Sequence, residues 1–150
     1  MHSRCREGER LQADVCGRIA LLRQKIIEIE GKAGNSCQRY RTRLTAVLQE
    51  QLQKPLNPQE DEQLLKAICL FADKVDISEE ITRFHAHLDH FMALTEAEKS
   101  SGKSLDFLVQ EMHREVNTIG SKASDTTISH AVVAMKSELD RIREQLQNIE

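Results

Sequence analysis

From Val15 the apolar residues recur as Val15, Ile19, Leu22, Ile26, Ile29, Ala33, Cys37, Tyr40, Leu44 and then Val47 or Leu48, in steps that alternate four and three. That spacing keeps a stripe on one side of an α-helix and, sustained over this length, forms the seam of a coiled coil. The same alternation returns near the other end of the chain in Ile128, Val132, Met135, Leu139, Ile142, Leu146 and Ile149. A stripe of this kind has to be buried against another helix. Nowhere does a strand-like alternation compete. The pattern predicts an all-α fold of long antiparallel helical hairpins, and the two coiled-coil-like seams point to an oligomer.

Punctuation then divides the chain. Residues 1–8 read as a leader, and 9–54 as one long helix. Gly31 and Gly34 interrupt its stripe, but the phase survives them, so the helix is expected to bend there rather than end. At 1.5 Å per residue it would span roughly 65 Å, too long to bury itself on a small domain. The region 59–150 reads as four helices of the same domain. Asn57, Pro58 and Glu60 open the first of these, with Leu64, Leu65, Ile68, Phe71 and Val75 inward. Asp76 with Glu79 opens the next, whose stripe is Ile77, Ile81, Phe84, Leu88 and Phe91. Ser100, Ser101 and Gly102 mark a loop. The following helix starts near Lys103, buries Leu105, Leu108, Met112, Val116 and Ile119, and has Gly120 as a candidate end. Asp125 is placed to cap the last.

Composition bounds what such a bundle can do. A formal net charge of −3 gives no overall attraction for nucleic acid, so any such binding must rest on local patches. There are four Phe, one Tyr and no Trp, and the Phe residues are expected on core stripes, so a bound RNA would be held by backbone and shape. Cys5, Cys16, Cys37 and Cys69 form no CxxC pair, which favours reduced thiols and a cytoplasmic location. No segment approaches a membrane span, so no membrane partner is expected.

The polar residues of DFLVQEMHREVNTIGSKASD, 106–125, are chemically mixed. Gln110, Arg114, Asn117 and Ser121 share one helical face, with Glu111, Glu115 and Lys122 on the adjoining one. Carboxylates at i and i+4 can hold Mg²⁺ or Mn²⁺, and Arg with Lys can clamp a phosphate. A solvated face gives the same spacing. On the preceding helix Glu80, Arg83 and His87 lie on one side; His85 and His90 read as surface histidines. Arg39 and Arg43, within RYRTR, form either a solvent-facing charge run or a phosphate-tracking patch. No glycine-rich phosphate loop, nucleophile elbow or Cys/His pairing is present.

The segments REGERL (6–11), ADKVDISEEITRFHAHLDHF (72–91), SLDFLVQEMHREVNTIGSKASD (104–125) and MKSELDRIREQLQNIE (135–150) closely resemble the C-terminal half of the YicC-like bacterial proteins, less closely so around 31–62. The resemblance implies a metal-dependent endoribonuclease acting on structured RNA. It also implies a hexamer whose helical parts open and close around that RNA, and an N-terminal α+β domain absent from this chain. Under it, Glu111, Arg114, Glu115 and Lys122 are the expected catalytic group. Glu111 and Glu115, with Glu80 or His87 from the preceding helix, are the expected ligands of Mn²⁺ or Mg²⁺, and Arg83, Gln110, Asn117, Ser121, Lys122, Arg39 and Arg43 the expected RNA contacts. His113 departs from the family pattern, where Asn is usual. The competing expectation is a non-catalytic oligomerisation module that adapts RNA or a partner ribonuclease, in which the same polar residues form a network fixing helix register.

Overall fold

A computed structural model describes residues 2–97, 102–123 and 125–149, with side chains described within 13–148. Six α-helices run as α1 (His2–Ala33), α2 (Ser36–Leu52), α3 (Pro58–Val75), α4 (Ser78–Glu96), α5 (Gly102–Lys122) and α6 (Thr126–Ile149). No strand occurs among the described residues. Helix α1 begins at His2, within the segment read as a leader.

Helices α1, α4, α5 and α6 close into an up-and-down bundle in which α4 packs on α5, α5 on α6, α6 on α1 and α1 on α4. The ion pairs fix the directions. Arg23–Asp89 and Glu30–His85 run in opposite order along α1 and α4, as do Arg83–Glu115 and Glu80–Lys122 along α4 and α5. Each stripe expected of these helices lies in one core, with Leu22, Ile26, Phe84, Leu88, Phe91, Met112, Ile119, Met135, Leu139 and Ile142 wholly inside. Complete burial of such side chains contributes about 1.5–3 kcal/mol each. The α6 stripe is buried through Leu146; the side chain of Ile149 lies outside the described set, as do Ser100 and Ser101 of the expected loop.

The single helix expected over 9–54 is divided. A turn at Gly34 and Asn35 ends α1 and restarts the chain as α2, whose N-cap Asn35 makes no side-chain cap hydrogen bond. The apolar phase crosses the break because its two halves serve different partners. Through Ile29 the stripe faces the bundle; Tyr40 stacks on Phe71 of α3. Helices α2 and α3 thus form an arm, joined to the bundle at Gly34–Asn35 and at Asp76–Ile77. Within it Asn57 caps α3 as expected, accepting from the Glu60 backbone N–H at 2.8 Å. Leu65, expected inward, is exposed.

Gly120 does not end α5, which continues to Lys122. Its role is a close approach: a Cβ there would meet Val132 Cγ1 at 3.1 Å, so the missing side chain lets α5 and α6 come together. Asp125 caps α6 through the backbone N–H groups of Thr127 and Ile128, at 2.7 and 3.2 Å.

Candidate functional site

The mixed polar residues of α5 divide between two of its neighbours. On the side facing α4, Glu115 is 5% exposed and Glu80 only 4% exposed. Arg83 Nε donates to Glu115 Oε1 at 2.9 Å, and its Nη groups reach Glu79 at 3.4 Å and Glu80 at 3.7 Å. Lys122 Nζ donates to Glu80 Oε1 at 2.8 Å and to the Asp76 backbone carbonyl at 3.2 Å, tying the end of α5 to the joint between arm and bundle. Burial pushes the Glu80 carboxyl up, but the Lys122 hydrogen bond and the nearby Arg83 outweigh it and hold the group below its usual range. Conversely, Glu80 raises Lys122 and Glu115 raises Arg83, so both cations keep their protons more tightly. This is a network of buried carboxylates and half-exposed cations that links α4 to α5.

Toward α6 the arrangement is open. A groove of about 430 Å³ is lined by Gln110, His113, Arg114, Asn117, Asp140 and Arg143, with Val109 and Thr118. Asp106 organises one end, accepting from Arg143 Nε at 3.1 Å and from Gln110 Nε2 at 2.9 Å. Asn117 Nδ2 lies 3.1 Å from His113 Nδ1, and donation from the amide leaves Nε2 as the protonated ring nitrogen, 3.6 Å from Asp140. The Arg114 side chain is 76% exposed, with Glu111 as its ion-pair partner at 4.0 Å. Guanidinium groups carry donors in a fork that matches phosphate, and the amides can donate and accept at sugar or base edges.

Of the expected catalytic group, then, Glu115 and Lys122 belong to the closed network, Arg114 to the groove, and Glu111 lies beside Arg114. Of the expected RNA contacts, Gln110 and Asn117 line the groove and Arg83 the network. Ser121 donates to the Thr118 carbonyl of its own helix at 3.0 Å. Arg39 and Arg43 lie on the arm, beside a separate cavity.

The expected metal ligands Glu80, His87, Glu111 and Glu115 are not brought together. Among the described residues no three His, Cys, Asp or Glu side chains are grouped to hold a metal ion. Glu80 and Glu115 face cations instead, and the one buried carboxylate oxygen left without a partner there, Glu80 Oε2, falls short of a ligand set. The described residues of one chain do not bring together a ligand set for a resident divalent ion, and no chemical step is routed through one.

Asp140 and Arg143 escape a reading of α5 alone, because they come from α6 and only the α5–α6 packing places them. A sequence signal for them existed. Arg143 follows Ile142 and Asp140 follows Leu139 in the α6 stripe, so both flank the face that meets α5.

Fold and site together define an all-helical domain with an arginine- and amide-lined groove on its bundle. The chain belongs to the YicC-like endoribonuclease family: the model of that family described as "Endoribonuclease YicC-like, C-terminal" matches residues 29–150. A relative named "Probable endoribonuclease YicC" in Clostridioides difficile (strain 630) is 43% identical over 147 residues, covering 98% of this chain and 50% of that protein. A protein of the same name in Haemophilus influenzae (strain ATCC 51907 / DSM 11121 / KW20 / Rd) is 31% identical over 147 residues, with the same coverage of each. The chain spans about half the length of the curated relatives it matches. No helix among the described residues is long and apolar enough to cross a membrane.

Proposed function

We propose that this chain is the RNA-contacting helical domain of an endoribonuclease, and that the α5–α6 groove receives the RNA phosphodiester. The observation that carries the reading is the groove itself: Arg114 and Arg143 flank amides and an imidazole in an open cleft, in a chain of an endoribonuclease family. Arg114 and Arg143 neutralise phosphate charge, while Gln110 and Asn117 hydrogen-bond the ribose or base. The closed α4–α5 network holds α5 in register so that these side chains stay aligned.

The test is cleavage of an end-labelled structured RNA by the 150-residue chain, with Mn²⁺, with Mg²⁺ and with a chelator, beside its Arg114→Ala variant. Arg114 is largely exposed, so the variant should keep the wild-type unfolding midpoint while losing at least tenfold in cleavage, the scale of one lost charge-assisted phosphate contact. Cleavage unchanged in the variant would remove the groove from the mechanism. The three metal conditions read directly whether cutting depends on a divalent ion.

A second reading, an assembly module for a homo-oligomer, draws on the arm. Val47, Leu52, Leu65 and Leu70 are all exposed there, more apolar surface than so small a hairpin can cover by itself. Wild-type chain that neither binds nor cuts RNA, yet sediments as an oligomer, would favour this reading.

A further inference from the structure

The arm carries a cavity that shares no residue with the α5–α6 groove. About 330 Å³ in volume, it is lined by Ser36, Arg39, Tyr40 and Arg43 from α2 and by Phe71 from α3. Tyr40 and Phe71 lie parallel, with ring centroids 3.8 Å apart and 8° between their planes, and both are half-buried rather than enclosed. Arg39 is held in place from behind, its Nη1 donating to the buried carboxylate of Asp125 at 2.7 Å, while its side chain stays 53% exposed. Arg43 is exposed and has no hydrogen-bond or ion-pair partner among the described residues.

Flat π-faces beside guanidinium groups bind a particular kind of ligand. Each unpaired base offers a face to stack, and each phosphate offers a partner to an arginine, so the combination suits single-stranded nucleic acid. A duplex keeps its base faces stacked internally and cannot use such a platform. Composition argues against stacking only on the premise that the Phe residues lie in the core. That premise holds for Phe84 and Phe91 but not for Phe107, which is 60% exposed, nor for Phe71, which the arm has no core of its own to enclose.

Resting on the reading of this chain as RNA-binding, we propose that the cavity is a single-stranded RNA subsite, in which one unpaired base stacks on the Tyr40–Phe71 pair and Arg39 and Arg43 hold the flanking phosphates. The arm would then engage an unpaired stretch of an RNA whose phosphodiester lies in the groove.

The chain contains one Tyr and no Trp, so its tyrosine emission reports on Tyr40 alone. The experiment titrates the 150-residue chain with a dye-labelled, unstructured 2′-O-methyl oligouridylate, which has no free 2′-hydroxyl to attack its own phosphodiester. Dye anisotropy and tyrosine emission are read together, and N-acetyltyrosinamide is titrated in parallel to correct for absorption by the RNA. Inorganic polyphosphate serves as a polyanion without bases. The expected result is saturable quenching that follows the anisotropy curve and is absent with polyphosphate. Tyr40→Leu, which keeps an apolar contact with Phe71 but offers no π-face, should weaken binding by roughly tenfold, while Tyr40→Phe should bind as the wild type does. Binding seen by anisotropy with unchanged tyrosine emission would overturn the subsite and leave the RNA reading standing. Equal quenching by polyphosphate, or equal affinity of the Leu variant, would also overturn it. No rise in anisotropy would likewise overturn the subsite, while the RNA reading stands or falls separately on the cleavage of structured RNA.

Discussion

The bundle and the arm are both built from α-helices, yet they are held together in different ways. In the bundle, α1, α4, α5 and α6 each present a continuous stripe to a shared interior, and the largest side chains are wholly enclosed. In the arm, α2 and α3 enclose Leu64 and little else that is apolar. The difference teaches where a two-helix unit stops being self-sufficient. Two helices can cover one side of each stripe; four can surround it. Stability is therefore concentrated in the bundle, and the arm is left with surface free to meet a ligand or a second chain.

The widest gap between the two regions should appear on truncating their apolar side chains. Phe84→Ala empties a fully buried site and should cost about 3–5 kcal/mol, whereas Leu65→Ala on the arm should stay within about 0.5 kcal/mol. Urea unfolding of both variants measures this, and a large loss from Leu65→Ala would mean that the arm is covered in solution.

A smaller effect is expected where the regions are latched. Asp125 caps α6 and also receives Arg39 from the arm, so Asp125→Ala should cost about 1–2 kcal/mol at neutral pH. The Arg39 hydrogen bond holds the Asp125 carboxyl below the usual carboxylate range. A depressed carboxylate stabilises the fold above its unfolded pKa and loses that contribution as pH falls through the folded one. The difference between Asp125→Asn and wild type should thus be full above about pH 4 and shrink below it. A difference that stayed constant down to about pH 2 would show that the charge on Asp125 does not matter to the latch.

The smallest effect compares two helical glycines. Gly17 in α1 has nothing within 4 Å of where a Cβ would sit, so Gly17→Ala should add up to about 1 kcal/mol from helix propensity. At Gly120 the same gain is opposed by Val132 at 3.1 Å, and Gly120→Ala should be neutral or destabilising. Adding Val132→Ala to Gly120→Ala should then cost less than Val132→Ala alone costs the wild type. Thermal melts of the four variants decide it.

Much of the bundle was legible because its periodicity is a direct record of burial: the stripes of α4, α5 and α6 name the core almost residue by residue. The break after Ala33 was not, because apolar phase reports that a face is covered and says nothing about which partner covers it. Gly120 reads equally well as a stop and as a point of close approach, and only Val132 on another helix separates the two. For the site, spacing along α5 correctly placed Gln110, Arg114 and Asn117 on one face. It could not say that Glu115 and Lys122 are engaged by Arg83 and Glu80, since ion pairing across helices depends on their register. Tyr40 and Phe71 were hidden for the same reason, being far apart in sequence and meeting only through the arm's hairpin.

The placement of the arm bears on how the bundle assembles. Helices α4, α5 and α6 each meet their sequence neighbour across a short connection. Helix α1 must instead find α4 past the whole of residues 34–77, and α6 from the far end of the chain. Loop-closure entropy rises with the length of chain enclosed, so the cost of completing the bundle falls on the docking of α1. On this argument the locally connected α4, α5 and α6 come together first and α1 docks onto them.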